Sequence, residues 1–464
     1  VTEAATDGVG SWRDLLGPRY LGTSGVLAGG VALYAINEFL TVSLLPSAVG
    51  EIGGQRLYSW VTTVYLVASV AAATTVGAVL TRLGPRWAYL LSLTVFGLGS
   101  VLCAAAPRME LLLVGRVVQG GGGGLLAGLG YAVINAALPQ RLWTRASALV
   151  SAMWGVGTLV GPASGGLFAQ LGMWRWAFGS LTVLTVVMGL LVPVVLPRRD
   201  AATTRTPWNI PTWSLMLLGT AALLVSAAAI PHNPAATVVL LGAGVGVVAL
   251  FVVVDRRADS SVLPPTAFRP GPLKWIYITL GMLMAATMVD MYVPLFGQRL
   301  AGLVPVVAGL LAAALSVGWT AGELTSASVD RPRTTVRIVA VAPLVMAAGL
   351  AIAALTQVAG APPLVVVAWA CALALAGTGI GMAWPHLSAW AMGAVEDPGE
   401  AATAAAAINT VQLMSGAIGA GMAGVVVNMT DRGDASASRW LFAVFAVLAA
   451  FGYGASRRAG RGRV

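Results

Sequence analysis

Fourteen apolar stretches constrain this chain more than any other feature. They cover residues 20–45, 58–80, 87–106, 111–135, 145–170, 175–196, 212–231, 236–254, 274–297, 303–322, 336–357, 362–391, 401–428 and 438–456. Each is close to the roughly 20 residues that an α-helix needs to cross a bilayer. Charged residues make up 9% of the 464 and hydrophobic residues 58%, whereas a soluble domain carries about 25% charged residues. Such a chain cannot clothe a water-facing surface. It reads as an all-α integral membrane protein with fourteen transmembrane helices, because only helices and closed barrels satisfy their backbone groups in lipid.

The basic residues give the orientation. With the N-terminus in the cytoplasm, twenty of the 27 Lys and Arg residues fall in inside loops or termini, six fall outside, and Arg116 alone lies within a span. That bias follows the positive-inside rule and requires an even number of spans, with both termini cytoplasmic. It also accounts for the net charge of +10 as topology and contact with anionic headgroups, so no nucleic-acid partner is expected. Lys274 is the only lysine. With the heavy use of Ala, Val and Gly, this suggests a high-GC bacterial gene, and the expected location is the bacterial cytoplasmic (inner) membrane.

Other classes lack their chemistry. Cys103 and Cys371 both fall in apolar runs, which leaves no disulfide framework and no metal-ligand spacing. His232 and His386 are too few and too far apart for a metal site. There is no phosphate-binding Gly-x-x-x-x-Gly-Lys-Ser/Thr loop, so ATP does not drive the protein. No cofactor is expected, and no soluble stretch is long enough for a catalytic domain. A membrane-embedded enzyme acting on lipid headgroups would need several convergent acids, His or Ser groups, and only scattered ones are present. What remains is transport driven by an ion gradient.

The fifth run holds the densest pattern. Gly157, Gly161, Pro162, Gly165 and Gly166 spell G-x-x-x-G-P-x-x-G-G. Small residues four apart let another helix approach closely, and Pro162 removes a backbone donor and bends the helix. At these residues the chain resembles the antiporter motif of drug:proton antiporters in the major facilitator superfamily. The first glycine of the motif's longer form is replaced by Ala148. The alternative reading is a helix-packing seam without a transport role.

Further residues extend the resemblance. Gly77, Arg82, Gly84 and Arg86 match the family's cytoplasmic loop motif, but Thr81 stands where an acid is usual. A plain positive-inside loop would read the same way. Arg116, Gln119 and Gly120 match R-x-x-Q-G in the fourth run. A guanidinium at membrane depth is costly unless paired or wetted. Arg116 therefore either tunes a nearby carboxylate or snorkels to the outer interface. In the first run the family carries an Asp nine residues before a Pro. Counting back from Pro46 gives Asn37, with Glu38 one position out of register. A carboxyl group in hydrocarbon is disposed toward proton exchange. Glu38 is the candidate for that role, with a structural Glu as the alternative.

The second half offers less. Asp290 lies mid-run in M-V-D-M-Y-V-P and is a second coupling candidate that matches no motif. Glu323 closes the tenth run and reads as an interfacial or loop charge. His386, in W-P-H of the twelfth run, either titrates or makes an ordinary helix contact.

The whole pattern resembles the 14-helix drug antiporter branch of the superfamily, of the actinobacterial or mycobacterial multidrug-efflux type. The resemblance implies two six-helix bundles, residues 1–197 and 274–464, joined by a linker with two extra helices at 198–273. It also implies a protein working as a monomer that exchanges protons for amphipathic or lipophilic small molecules. Export of lipid or lipid-like envelope material by the same fold is the alternative.

Overall fold

The computed structural model describes residues 11–196, 210–231, 233–329, 331–395, 398–430 and 432–461. Among them every long element is helical, with no strand. In chain order the apolar runs form α1 (Leu21–Ile52), α2 (Trp60–Ala73), α3 (Val76–Ala104), α4 (Met109–Ala132), α5 (Trp143–Gln170), α6 (Trp174–Val195) and α7 (Thr212–Ala227). They continue with α8 (Pro234–Asp255), α9 (Leu273–Ala301), α10 (Pro305–Ser326), α11 (Pro332–Thr356), α12 (Pro363–Gly393), α13 (Pro398–Asn428) and α14 (Asp434–Ala459). His232 and the connector 197–209 lie outside the described residues.

Among the described residues, twelve helices are long and apolar enough to cross a membrane, against the fourteen expected. The other two runs form the shorter helices α2, of 14 residues, and α7, of 16 residues. The reason for α2 is local. Thr74 and Thr75 turn their hydroxyls onto the carbonyls of Ala71 and Ala72 at 2.9 and 2.7 Å, and such side-chain bonds compete with the regular helix ladder. Helix resumes at Val76 and runs to Gly84, whose φ of 74° and ψ of 170° break it again ahead of Pro85. A left-handed φ of this kind favours glycine. Gly84 thus separates the second apolar run from the third, although α3 bridges both.

The first six helices pack mainly among themselves: α1 on α5 and α6, α4 on α2 and α3, α3 on α6. In the last six, α12 packs on α10 and α11, and α14 and α13 pack on α9. The two sets meet through α5 against α10 and through α2 against α13. The contacts named here between them gather at the end where α1 runs into α2, called the far end below. There the Tyr58 ring stacks on Tyr292 at 4.8 Å, and the Tyr58 hydroxyl donates to the Met291 carbonyl at 3.2 Å. Arg299 bridges Asp434 at 2.9 Å and Gln55 at 3.2 Å. Glu51 also holds Arg175 and Trp174 at this end, within the first set. At the opposite, near end Gly22 at the start of α1 abuts Val195 at the end of α6, and Gly460 after α14 abuts Val336 at the start of α11.

The extra pair, α7 and α8, packs outside this body, with α7 on the α2–α13 seam. Ser226 of α7 donates to the Thr63 hydroxyl at 2.8 Å, and its carbonyl accepts from Trp60 Nε1 at 3.0 Å. From the other side, Asn428 of α13 donates to the carbonyls of Ala229 and Arg56 at 3.2 and 3.1 Å. One helix therefore ties both sets together at the far end.

Candidate functional site

The site is built around Arg116, which is 2% exposed on α4. It does not snorkel. Its guanidinium donates to Gln119 Oε1 at 2.6 Å, to Asn37 Oδ1 at 3.2 Å and to the Val61 carbonyl at 3.3 Å. It also lies over the Tyr65 ring, 4.0 Å from the centroid, an arrangement that favours a cation. Gln119 passes the network on to Ser100 Oγ at 2.8 Å. Spacing i, i+3 puts Arg116 and Gln119 on one face of α4. The glycines beside them let α2 and α3 come close enough to supply Val61 and Ser100: a Cβ at Gly122 would strike the backbone of Phe96, and one at Gly120 that of Tyr65.

All neutral partners leave the guanidinium charge uncompensated by direct contact, and no ion pair to it occurs among the described residues. Glu38 lies within electrostatic reach of Arg116, Tyr34, Tyr65 and Asp290. Register explains the division of labour on α1. Asn37 is fully buried against Arg116, and Glu38, one residue on, is turned away from it and is half-buried. The Glu38 Oε2 atom is covered and has no hydrogen-bond partner among the described residues.

Asp290, on the other set, is within electrostatic reach of Glu38 and sits where α9 is deformed. Pro294 cannot donate to the carbonyl of residue 290, and its ring crowds that carbonyl. The chain answers with a tighter 3-10 segment, Met288–Tyr292, in which the Val293 amide takes the Asp290 carbonyl instead. Asp290 is half-buried, between fully buried Val289 and Met291. Around the two acids stand Tyr34 against Tyr65 and Trp154, with ring centroids 5.7 and 5.5 Å apart, and the Tyr58–Tyr292–Phe296 stack. The tyrosines escaped the sequence reading. Tyr34 lies one turn before Glu38, which is the signal that could have found it.

The other candidates separate. Gly157, Gly161 and Gly165 pack on Ala35, Phe39 and Leu40 of α1, within the first set. Gly166 reaches across, to Pro305 and Val306 of α10, and the Pro162 carbonyl faces Gly309 of the same helix. The motif is thus a seam to α1 whose last glycine also closes against the other half. In the loop motif, Thr81 bonds its own helix at the Gly77 carbonyl, 2.7 Å away, and so supplies no charged partner. Arg86 places two donors, at 3.0 and 2.9 Å, on the Leu196 carbonyl that ends α6, a favourable place for a cation. Arg82 is exposed and Gly77 has open space beside it. His386 stays apart from the acids: its Nε2 contacts Ser326 Oγ at 2.8 Å and the Ser326 carbonyl at 3.1 Å, an ordinary helix contact.

The site thus combines a guanidinium buried within the first of two packed helical sets with an acid on each set. The family profile of the Major Facilitator Superfamily matches residues 27–420, and the chain belongs to that superfamily. It is 60% identical over 465 residues to a probable multidrug-efflux transporter of Mycobacterium tuberculosis, covering 99% of this chain and 98% of that one. A multidrug transporter protein of Bacillus subtilis is 26% identical over 281 residues, 58% of this chain and 50% of that one. Among solved structures, a bacterial homolog of the human lysosomal transporter Spinster, inward-facing and unoccupied, superposes with a TM-score of 0.65 at 14% identity, covering 96% of this chain and 98% of that one. A D-xylose–proton symporter gives 0.64 at 16% identity, covering 94% and 97%. These structures share the fold.

Proposed function

We propose that the protein is a proton-coupled exporter of amphipathic, often cationic small molecules across the bacterial cytoplasmic membrane. The observation that carries this reading is a buried Arg116 with only neutral direct partners, with Glu38 and, from the other set, Asp290 within electrostatic reach of one another. The 60% identical mycobacterial relative bears a multidrug-efflux name, which supports the substrate class. In this reading the fourteen apolar runs are fourteen spans with both termini cytoplasmic. Residues 1–197 and 274–464 are two bundles that rock about the site, and 198–273 carries the extra pair. The chain works as a monomer. The far end is then the outer face, and its closed seam corresponds to an inward-facing state.

Coupling follows from charge. A cationic substrate entering from the cytoplasm is favoured by ionised Glu38 and Asp290. Protonation from outside neutralises the pair and releases the substrate, and return to the inward-facing state discharges the protons. Arg116 holds the local potential that sets how readily Glu38 gives up its proton. Gly166 against Pro305 is a point at which the halves close.

Proteoliposomes with an internal pH-sensitive dye and an imposed proton gradient test this. Lipophilic cations, neutral drugs and lipids are added in turn. Dissipation of the gradient by cations in the wild type, and not in Glu38→Gln, is the expected result. Transport without proton movement would contradict the coupling, and proton-linked movement of lipids alone would favour export of envelope material.

A further inference from the structure

A second acidic and aromatic group lies away from the central site, on α10 and α12. The Trp319 and Trp384 rings meet at 5.3 Å with their planes tilted by 54°. Glu323, one turn beyond Trp319, accepts a hydrogen bond from Trp319 Nε1 on Oε2 at 3.1 Å. No Lys, Arg or His forms an ion pair with Glu323 among the described residues. A half-buried carboxylate without an ion-pair partner among the described residues, held by one oxygen on the Trp319 indole that itself packs on Trp384, has the elements of an organic-cation site: negative charge plus π-faces.

Its position points inward. Gly309 of α10 faces the first half, against Ser43 and the Pro162 carbonyl. Glu323 lies about four turns further along α10, on nearly the same side, and about 21 Å closer to the near end. Leu310, Val317 and Leu324 mark the adjacent, outward flank, at 44, 51 and 70% exposure. Gly318, Gly377 and Gly381 draw α10 and α12 together: a Cβ on any of them would strike the other helix's backbone. That close crossing fixes Trp319 against Trp384. The group thus lies on the near-end side of the Gly309 contact with the first half.

We infer that Glu323, Trp319 and Trp384 form a separate binding site for organic ammonium or phosphonium cations, occupied before the substrate reaches Glu38 and Asp290. The inference rests on the reading of the protein as a cation exporter. Its test needs no gradient, so it fails or stands independently of proton coupling.

The probe is tetraphenylphosphonium, bound at equilibrium to the full-length protein in nanodiscs. Wild type should bind two cations per chain. Glu323→Gln keeps an oxygen that can accept from Trp319, so the fold is preserved, and it should bind one. Trp384→Leu should weaken that same site about tenfold. The double variant Glu38→Gln/Asp290→Asn should retain the Glu323 site and lose the other. An unchanged stoichiometry and affinity in Glu323→Gln overturns the proposal, as does loss of all binding in the central double variant.

Discussion

Glu38 on α1 and Asp290 on α9 come within electrostatic reach of each other although they belong to opposite halves of the molecule. Any rocking of the halves alters that relationship, which makes the pair responsive to conformation in a way that a single buried acid is not. Residues that act as a unit show non-additive losses. Glu38→Gln and Asp290→Asn should each lower proton-driven transport at least about tenfold, and the double variant should be little worse than the more damaged single. Initial transport rates in proteoliposomes check this, and losses that multiply would mean two independent roles.

Arg116 is held by three acceptors and one ring. Removing it strands the buried side chains of Asn37 and Gln119, each unsatisfied group costing about 1–3 kcal/mol. Arg116→Ala should therefore lower thermal stability as well as transport. Arg116→Lys keeps the charge but cannot reproduce the planar fork. It should fold better than the alanine variant while transport stays depressed. Melting temperature measured alongside transport separates the two effects.

The glycines of α5 should divide into two phenotypes. Gly161→Val places a side chain against Phe39 and the α1 backbone inside the first half. Overpacking of this kind costs about 1–3 kcal/mol, so the melting temperature should drop. Gly166→Val acts between the halves, against Pro305 and Val306. It should spare stability and weaken closure of the far end, read as faster labelling of a cysteine placed at Ser43 by a membrane-impermeant thiol reagent.

Closure at that end can also be trapped. Ser43 and Gly309 face each other across the halves, with Gly309 close enough that a Cβ would lie 3.0 Å from the Ser43 Cβ. Ser43→Cys/Gly309→Cys in a background lacking Cys371 should stop turnover on oxidation and recover on reduction. Full activity while cross-linked would show that the seam need not open. Asn428→Ala removes a tie between α13 and α7 and should raise accessibility at the same seam.

The apolar runs were legible because a span writes its length into the sequence, and each run does hold helix. The break in α2 was not, because Thr74 and Thr75 are ordinary residues in an apolar run until their hydroxyls turn onto the backbone. Asp290 was found as a charge in a span, while its 3-10 setting could have been read from Pro294 four residues on. The register problem at Asn37 and Glu38 resolves in space: Asn37 meets Arg116, while the Glu38 Oε2 atom is buried without a hydrogen-bond partner among the described residues. Long-range partners such as Arg86 with Leu196, or α7 with the α2–α13 seam, depend on tertiary packing that no local pattern carries.

The central claim is that substrate and proton compete through Glu38 and Asp290. Proton release measured in weakly buffered detergent solution as tetraphenylphosphonium binds the purified protein tests it most directly. The account predicts release by the wild type near neutral pH and none by Glu38→Gln/Asp290→Asn. Binding without release, or undiminished release from the double variant, would contradict it.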